Sequence, residues 1–297
     1  MTERIDYAQE ITRRYGYVRR ARGCYLYTAR GRRILDMYLE GGRAILGWRG
    51  GRSQLTLKNL LDRGLGGTFE TPELKQLEKA IRALAPQHSV IRWYQNEDKT
   101  RNACARYLDL WIDDLPLVEN EVIRNRLLLL QHDAILQANG ICIWRPWIED
   151  AWYHIDEESR NSLQELNWCS PEITVIPIPF PSAGEYFAVA FSVDKGEKIA
   201  PSDPIPAAVA GAMARACNDL HAEIPKRWER DWQQYDRIIG GYWQRRGPYL
   251  IPEIPKEHYG DFFLHCLDRG ILISPVFSAP SIIPVGADST ALNPLAK

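Results

Sequence analysis

Residues 22–37 read Arg-Gly-Cys-Tyr-Leu-Tyr-Thr-Ala-Arg-Gly-Arg-Arg-Ile-Leu-Asp-Met. Cys24, Leu26 and Thr28 alternate with Tyr25 and Tyr27, the pattern of a strand with one buried face. Ala29-Arg30-Gly31-Arg32 supplies the turn, and Ile34-Leu35-Asp36-Met37 is the return strand. Residues 23–39 therefore read as a β-hairpin. A glycine-rich passage follows at Gly41, Gly42, Gly47, Gly50 and Gly51. It has neither the G-x-G-x-x-G fingerprint nor the G-K-S/T ending of a phosphate loop.

Outward from the hairpin, Leu57, Leu60, Leu61 and Leu65 have helical spacing, stopped by Gly66-Gly67. Thr71-Pro72 starts a second helix: the Thr hydroxyl caps free amides, and Pro at the first position loses no hydrogen bond. Leu74, Leu77, Ile81 and Leu84 form its apolar stripe. Ser89 to Tyr94 reads as a strand, and Glu97 to Trp111 as a helix capped by Asn96. Val118 to Leu136 reads as a further helix. Ile141 to Trp144, Ile173 to Ile178 and Tyr186 to Ser192 read as strands, two of them apolar enough to be buried on both faces. Pro206 to Leu220 is an alanine-rich helix. Pro225 to Trp243 reads as one long amphipathic helix, with Trp228, Trp232, Tyr235 and Ile239 along one face. Tyr249 to Ile251 is a short strand. Lys256 to Arg269 is a helix ended by Gly270, and Ile271 to Ile273 is a closing strand.

The 297 residues are 45% hydrophobic and 25% charged, the balance of a folded globular chain. No apolar run reaches bilayer length, and the first residues lack the apolar core of a signal peptide. The expectation is a cytoplasmic protein without a membrane span. Net charge is -1, which gives no global attraction to nucleic acid. The charge is uneven, however. Residues 1–52 hold twelve Arg, no Lys and five acids, a balance of +7. The simplest reading is an Arg-rich surface or subunit interface. The six Cys, at 24, 104, 142, 169, 217 and 266, form no CxxC pair and match no zinc pattern. They are expected to be reduced. His154 precedes Asp156, Glu157 and Glu158, but no second His lies at ligand spacing, and no metal is expected.

Three stretches carry a family resemblance. The first is Arg22 to Tyr27 with Gly31 to Met37 and Ile45-Leu46-Gly47. The second is Thr71-Pro72 through Pro86. The third is Gly270 to Pro275 with Pro280-Ser281. Together they resemble class III aminotransferases, fold-type I pyridoxal-phosphate (PLP) enzymes of the glutamate-1-semialdehyde aminomutase group. The resemblance implies an α/β fold: a reduced large domain, with a shortened mixed sheet flanked by helices, plus an α+β small domain built from both chain ends. It divides the chain into an N-terminal arm and hairpin (1–70), the large domain (71–205) and the C-terminal small domain (206–297). The short middle leaves room for about four sheet strands.

The same resemblance locates the chemistry, and there the chain departs from it. Family members hold the cofactor phosphate on a helix opened by small residues. Asn96, Glu97 and Asp98 occupy that place here. The Schiff-base lysine, which no other residue replaces, falls on or near Ile178. Lys195 and Lys198 are the nearest lysines. Ser202 stands where the family uses a hydroxyl toward the partner subunit's phosphate. Glu149 or Asp150 is the nearest match to the acid that pairs with the pyridine nitrogen. The resemblance thus implies a truncated, catalytically degenerate relative that binds no PLP and acts through protein association or small-molecule binding. Two alternatives stay open. One is an active PLP enzyme of amino-acid metabolism using Lys195 or Lys198. The other is PLP-independent chemistry by Glu149, Asp150 and His154. The expected assembly is a homodimer built partly from residues 13–52, or a heterodimer with a related aminotransferase through the same surface.

Overall fold

The computed structural model describes residues 5–109, 141–147, 172–181, 186–277, 279–288 and 290–295. The expected helix Val118 to Leu136 lies outside them. The chain divides into two compact units, one drawn from residues 1–50 and 228–297, the other from 51–227 apart from a short stretch.

In the first unit, α1 (Tyr7–Tyr15) is capped by Asp6, whose side chain accepts from the Gln9 amide. It leads into β1 (Val18–Arg22), β2 (Tyr25–Thr28) and β3 (Arg33–Asp36). β2 and β3 are the expected hairpin, in register Leu26 to Ile34. Gly31 turns it with φ +79°, a conformation open to glycine. Cys24, Leu26 and Thr28 are all buried, as the alternation requires.

The second unit begins with α2 (Ser53–Asp62), which ends at Gly64 (φ +80°) rather than at Gly66-Gly67. α3 (Pro72–Leu84) buries Leu77, Ala80, Ile81 and Leu84. Thr71 takes the extended cap conformation, but its hydroxyl makes no capping bond. β4 (Val90–Tyr94) and α4 (Glu97–Leu108) follow, then β5 (Ile141–Ile143), β6 (Ile173–Pro177), β7 (Phe187–Phe191) and α5 (Ala207–Glu223). The described residues form a 4-stranded sheet in the order β4-β7-β6-β5. β7 runs antiparallel to both neighbours, and β5 is parallel to β6. Small residues let α5 sink into the core: Ala207, Ala208, Ala210, Ala212, Ala214 and Ala216 are buried. Its first amides, from Ala207 and Ala208, donate to the carbonyls of Gly67 and Leu65.

Back in the first unit, the expected long helix over 225–243 is not formed. α6 (Arg230–Gln233) and α7 (Asp236–Ile239) are separate turns, and Trp243 already belongs to β8 (Trp243–Arg246). Arg227 is extended, the Trp228 amide donates to the Asp231 side chain, and Gly241 has φ +94°. These local bonds compete with the helix ladder at both ends. Trp232, Tyr235 and Ile239 are buried, but Trp228 is 45% exposed, so the apolar face is not continuous. β8 pairs with β9 (Tyr249–Pro252). α8 (Tyr259–Asp268) ends at Gly270 (φ +80°), as expected. β10 (Ile271–Leu272) then lies parallel to β3 and completes the sheet β1-β2-β3-β10. β11 (Ser281–Ile282) pairs with β9.

The units divide at 50/51 and 227/228. The reason is that α2 and α5 both pack in the second unit, α5 against α2 and α3.

Candidate functional site

The sheet of the second unit has two distinct ends. Across β4, β7 and β6, Tyr94, Phe187 and Pro177 are in register at one end; Val90, Phe191 and Ile173 are in register at the other. The ends are roughly 13 Å apart along a five-residue strand. In sheets with parallel strands, ligands gather beyond the carboxyl ends of those strands. Here that is the Tyr94 end. α4 begins there, and β5 and β6 terminate there.

Three of the expected residues form the start of α4. The Asn96 side chain accepts from the Lys99 amide at 2.9 Å, and Glu97 and Asp98 fill the first turn. Acids at this position favour the helix dipole. Ser202 is nearby and accepts from the Trp93 amide at 3.3 Å. Asp203, which sequence reasoning does not single out, ties the corner together. Its carboxylate accepts from the Gln95 amide at 2.8 Å and from Lys99 Nζ at 2.9 Å. Its own amide donates to the Trp93 carbonyl at 2.9 Å, and Trp93 Nε1 donates back to the Asp203 carbonyl at 2.8 Å. Lys99 is missed in the same way. Its place just after a helix cap is the available signal, but a partner more than a hundred residues away leaves no local trace.

Ile178 stands beyond β6 and is 1% exposed, as expected of a core residue. It lies two strands from β4, about 10 Å across the sheet. Aromatic residues crowd this end: Trp144, Trp147, Phe180 and Tyr186 are buried. Trp147 has φ +68°, strained for a bulky side chain, and its indole donates to the Ile224 carbonyl at 3.2 Å.

Lys195 and Lys198 lie at the opposite end, beyond Phe191. Lys195 Nζ is 3.0 Å from Glu172 and 3.9 Å from the centre of the Tyr107 ring. Lys198 pairs with Asp109. The structure thus brings Asn96, Glu97, Asp98 and Ser202 together and places both lysines at the far end of the strands. Glu149, Asp150 and His154 lie outside the described residues.

Burial pushes the thiols of Cys104, Cys217 and Cys266 up to about 12. They and Cys24 are buried and unpaired, and inert as nucleophiles. Among the described residues, no group of His, Cys, Asp and Glu is placed to hold a metal, and no helix is long and apolar enough to cross a membrane.

No known family model matches the chain. An uncharacterized protein of Treponema pallidum is 30% identical, over 94% of this chain and 92% of its own length. The chain belongs to the same family as that protein. An uncharacterized protein of Borreliella burgdorferi is 23% identical over 90% of this chain and 84% of its own. Among solved structures, ornithine aminotransferase from Plasmodium yoelii matches with TM-score 0.60 at 12% identity, covering 98% of this chain and 96% of that one. An omega-transaminase from Sphaerobacter thermophilus matches with TM-score 0.59 at 14% identity, covering 94% and 89%. N-acetylornithine aminotransferase from Stenotrophomonas maltophilia matches with TM-score 0.58 at 13% identity, covering 98% and 97%. The fold is aminotransferase-like.

A phosphorylated cofactor held through a lysine does not fit the described residues at the Tyr94 end. The Lys99 and Gln95 amides are already bonded to side-chain oxygens. Glu97 and Asp98 in the first turn and Asp203 beside it bring carboxylates, like-charged with a phosphate, to the start of α4. The position after β6 is a buried isoleucine. The lysine that is present, Lys99, lies on α4 and is held by Asp203.

Proposed function

We propose that this chain is a catalytically degenerate member of the aminotransferase-like fold, binding no PLP and acting by association with a partner protein. The observation that carries the reading is the sheet end itself: Ile178 follows β6, while Lys195 and Lys198 sit beyond β7 at the opposite end of the strands. Both follow the last paired residue of β7, a strand length of roughly 13 Å from the Tyr94 end. Both are also engaged by carboxylates, Lys195 by Glu172 and Lys198 by Asp109. The capped, acid-rich start of α4 supports the same reading.

The test is absorbance of the purified chain titrated with PLP, followed by borohydride and peptide mapping. The expected result is no saturable visible band and no stoichiometric lysine adduct. A single lysine fixed in stoichiometric yield would overturn the reading and name the lysine.

A further inference from the structure

The outer face of β1, β2 and β3 is built from arginine and tyrosine. Arg20 pairs in register with Tyr27, and Tyr27 with Arg33; Arg22 pairs with Tyr25. Residues paired this way share one face of the sheet. The Arg20 guanidinium lies 4.3 Å from the centre of the Tyr27 ring, and that of Arg33 4.4 Å from Tyr25. Arg19, Arg20, Arg22, Arg32 and Arg33 are all exposed. The nearby ion pairs, Arg13 and Arg14 with Glu10 and Arg14 with Asp268, leave these five out. One carboxylate, Asp288, bears on Tyr25.

Among the described residues β1 is also an edge strand, with every residue at least partly exposed. Its pairing with β2 shifts register between Val18 and Arg20 and is regular from Arg20 to Arg22. An edge strand offers free backbone donors and acceptors to another chain.

Three arguments select the occupant. A second copy meeting this face across a two-fold axis would set the same arginines against each other. A nucleic acid would stack its bases on aromatic faces, but guanidinium groups already cover Tyr25 and Tyr27. An extended polypeptide uses both features, the backbone edge and the charge. Arg and Tyr without Lys is also the composition of protein interfaces.

We propose that β1 is a docking edge for an acidic, extended segment of a partner protein, which adds as a further strand with its carboxylates opposite Arg20 and Arg22. The stacked tyrosines hold the guanidinium groups in place, and each Arg fork can take a carboxylate by two hydrogen bonds. This inference rests on the reading that the chain acts by association, and it supplies the partner's chemistry.

The test is fluorescence anisotropy of the full chain with a fluorescein-labelled peptide of about nine residues alternating Glu and Val. The expected result is saturable binding that weakens about tenfold or more with added salt. The double substitution Arg20→Glu, Arg22→Glu is expected to weaken it by at least as much, as is N-methylation along the probe, which keeps the charge and removes the edge hydrogen bonds. Arg63→Glu, in the exposed turn after α2, is expected to leave binding unchanged. Circular dichroism checks that the variants are folded. No saturable binding, equal binding of the N-methylated probe, equal loss with Arg63→Glu, or tighter binding of an oligouridylate RNA would each overturn the proposal. The cofactor does not enter this assay. A lysine adduct in the trapping experiment with peptide binding intact would therefore remove the degenerate-enzyme reading alone.

Discussion

Asp36 closes β3 inside the core, at 1% exposure. Its carboxylate accepts from the amides of Tyr38 and Leu39, at 3.0 and 2.9 Å, and from Trp48 Nε1 at 2.7 Å. These bonds hold Leu39 and Glu40, both at positive φ, in a turn that non-glycine residues rarely adopt. Burial outweighs the bonds and raises the Asp36 carboxyl from 3.8 to about 6. The folded state therefore prefers the protonated form. The stability this group contributes is full below about pH 4 and is lost as pH rises through about 6, on the order of 3 kcal/mol in all. Asp36→Asn keeps an acceptor without the titration. Its melting temperature is expected to fall less between pH 4.5 and 7.5 than that of the parent chain, by differential scanning fluorimetry. Parallel pH profiles would mean that another group titrates.

At the scale of elements, α4 and α5 show two ways in which a helix is secured. α4 depends on its cap. Asn96→Ala removes the acceptor for the Lys99 amide and is expected to cost about 1 kcal/mol in urea unfolding. No loss would mean that Asp203 alone holds the turn. α5 depends on closeness. A Cβ at Gly211 would come 2.4 Å from a Leu60 methyl on α2 and 3.1 Å from Glu73 on α3. Gly211→Val is therefore expected to destabilise by roughly 1–3 kcal/mol through overpacking. Adding Leu60→Ala should recover part of that loss, and an additive double variant would show that the helices do not meet there. The 225–243 segment is the counter-example. Its spacing is helical, yet Gly240-Gly241 and the pairing of Trp243 in β8 win, because strand pairing and a glycine turn satisfy the same backbone groups.

At the scale of the molecule, both chain ends build one unit. β10 pairs with β3; the Leu35 and Met37 amides donate to the Gly270 and Leu272 carbonyls, both at 2.8 Å. Ile271, Leu272, Ile273, Ile282 and Ile283 are buried there. Each is worth about 1.5–3 kcal/mol, so together they rival the roughly 5–15 kcal/mol total of an ordinary protein. Deleting residues 270–297 is expected to abolish the cooperative thermal transition of this unit and open Arg30, Arg32 and Arg33 to trypsin. A truncated chain with the hairpin still resistant would show that β1, β2 and β3 stand alone.

Local chemistry was enough for the hairpin, the Asn96 cap, the Pro72 start, the buried β6 and β7, the alanine-rich α5 and the Gly270 stop. Each rests on residues a few positions apart, where periodicity, a capping oxygen or a left-handed glycine acts within one turn of chain. The fold resemblance was legible for the same reason, since it rests on contiguous stretches. Tertiary structure alone decided that Val18–Arg22 form an edge strand, that β10 joins β3, and that Asp203 reaches back to α4. It alone decided that Lys195 and Lys198 lie at the opposite end of the sheet from Ile178. Those outcomes depend on strand direction and register between segments tens to hundreds of residues apart, and a side chain carries no mark of which distant backbone it will meet.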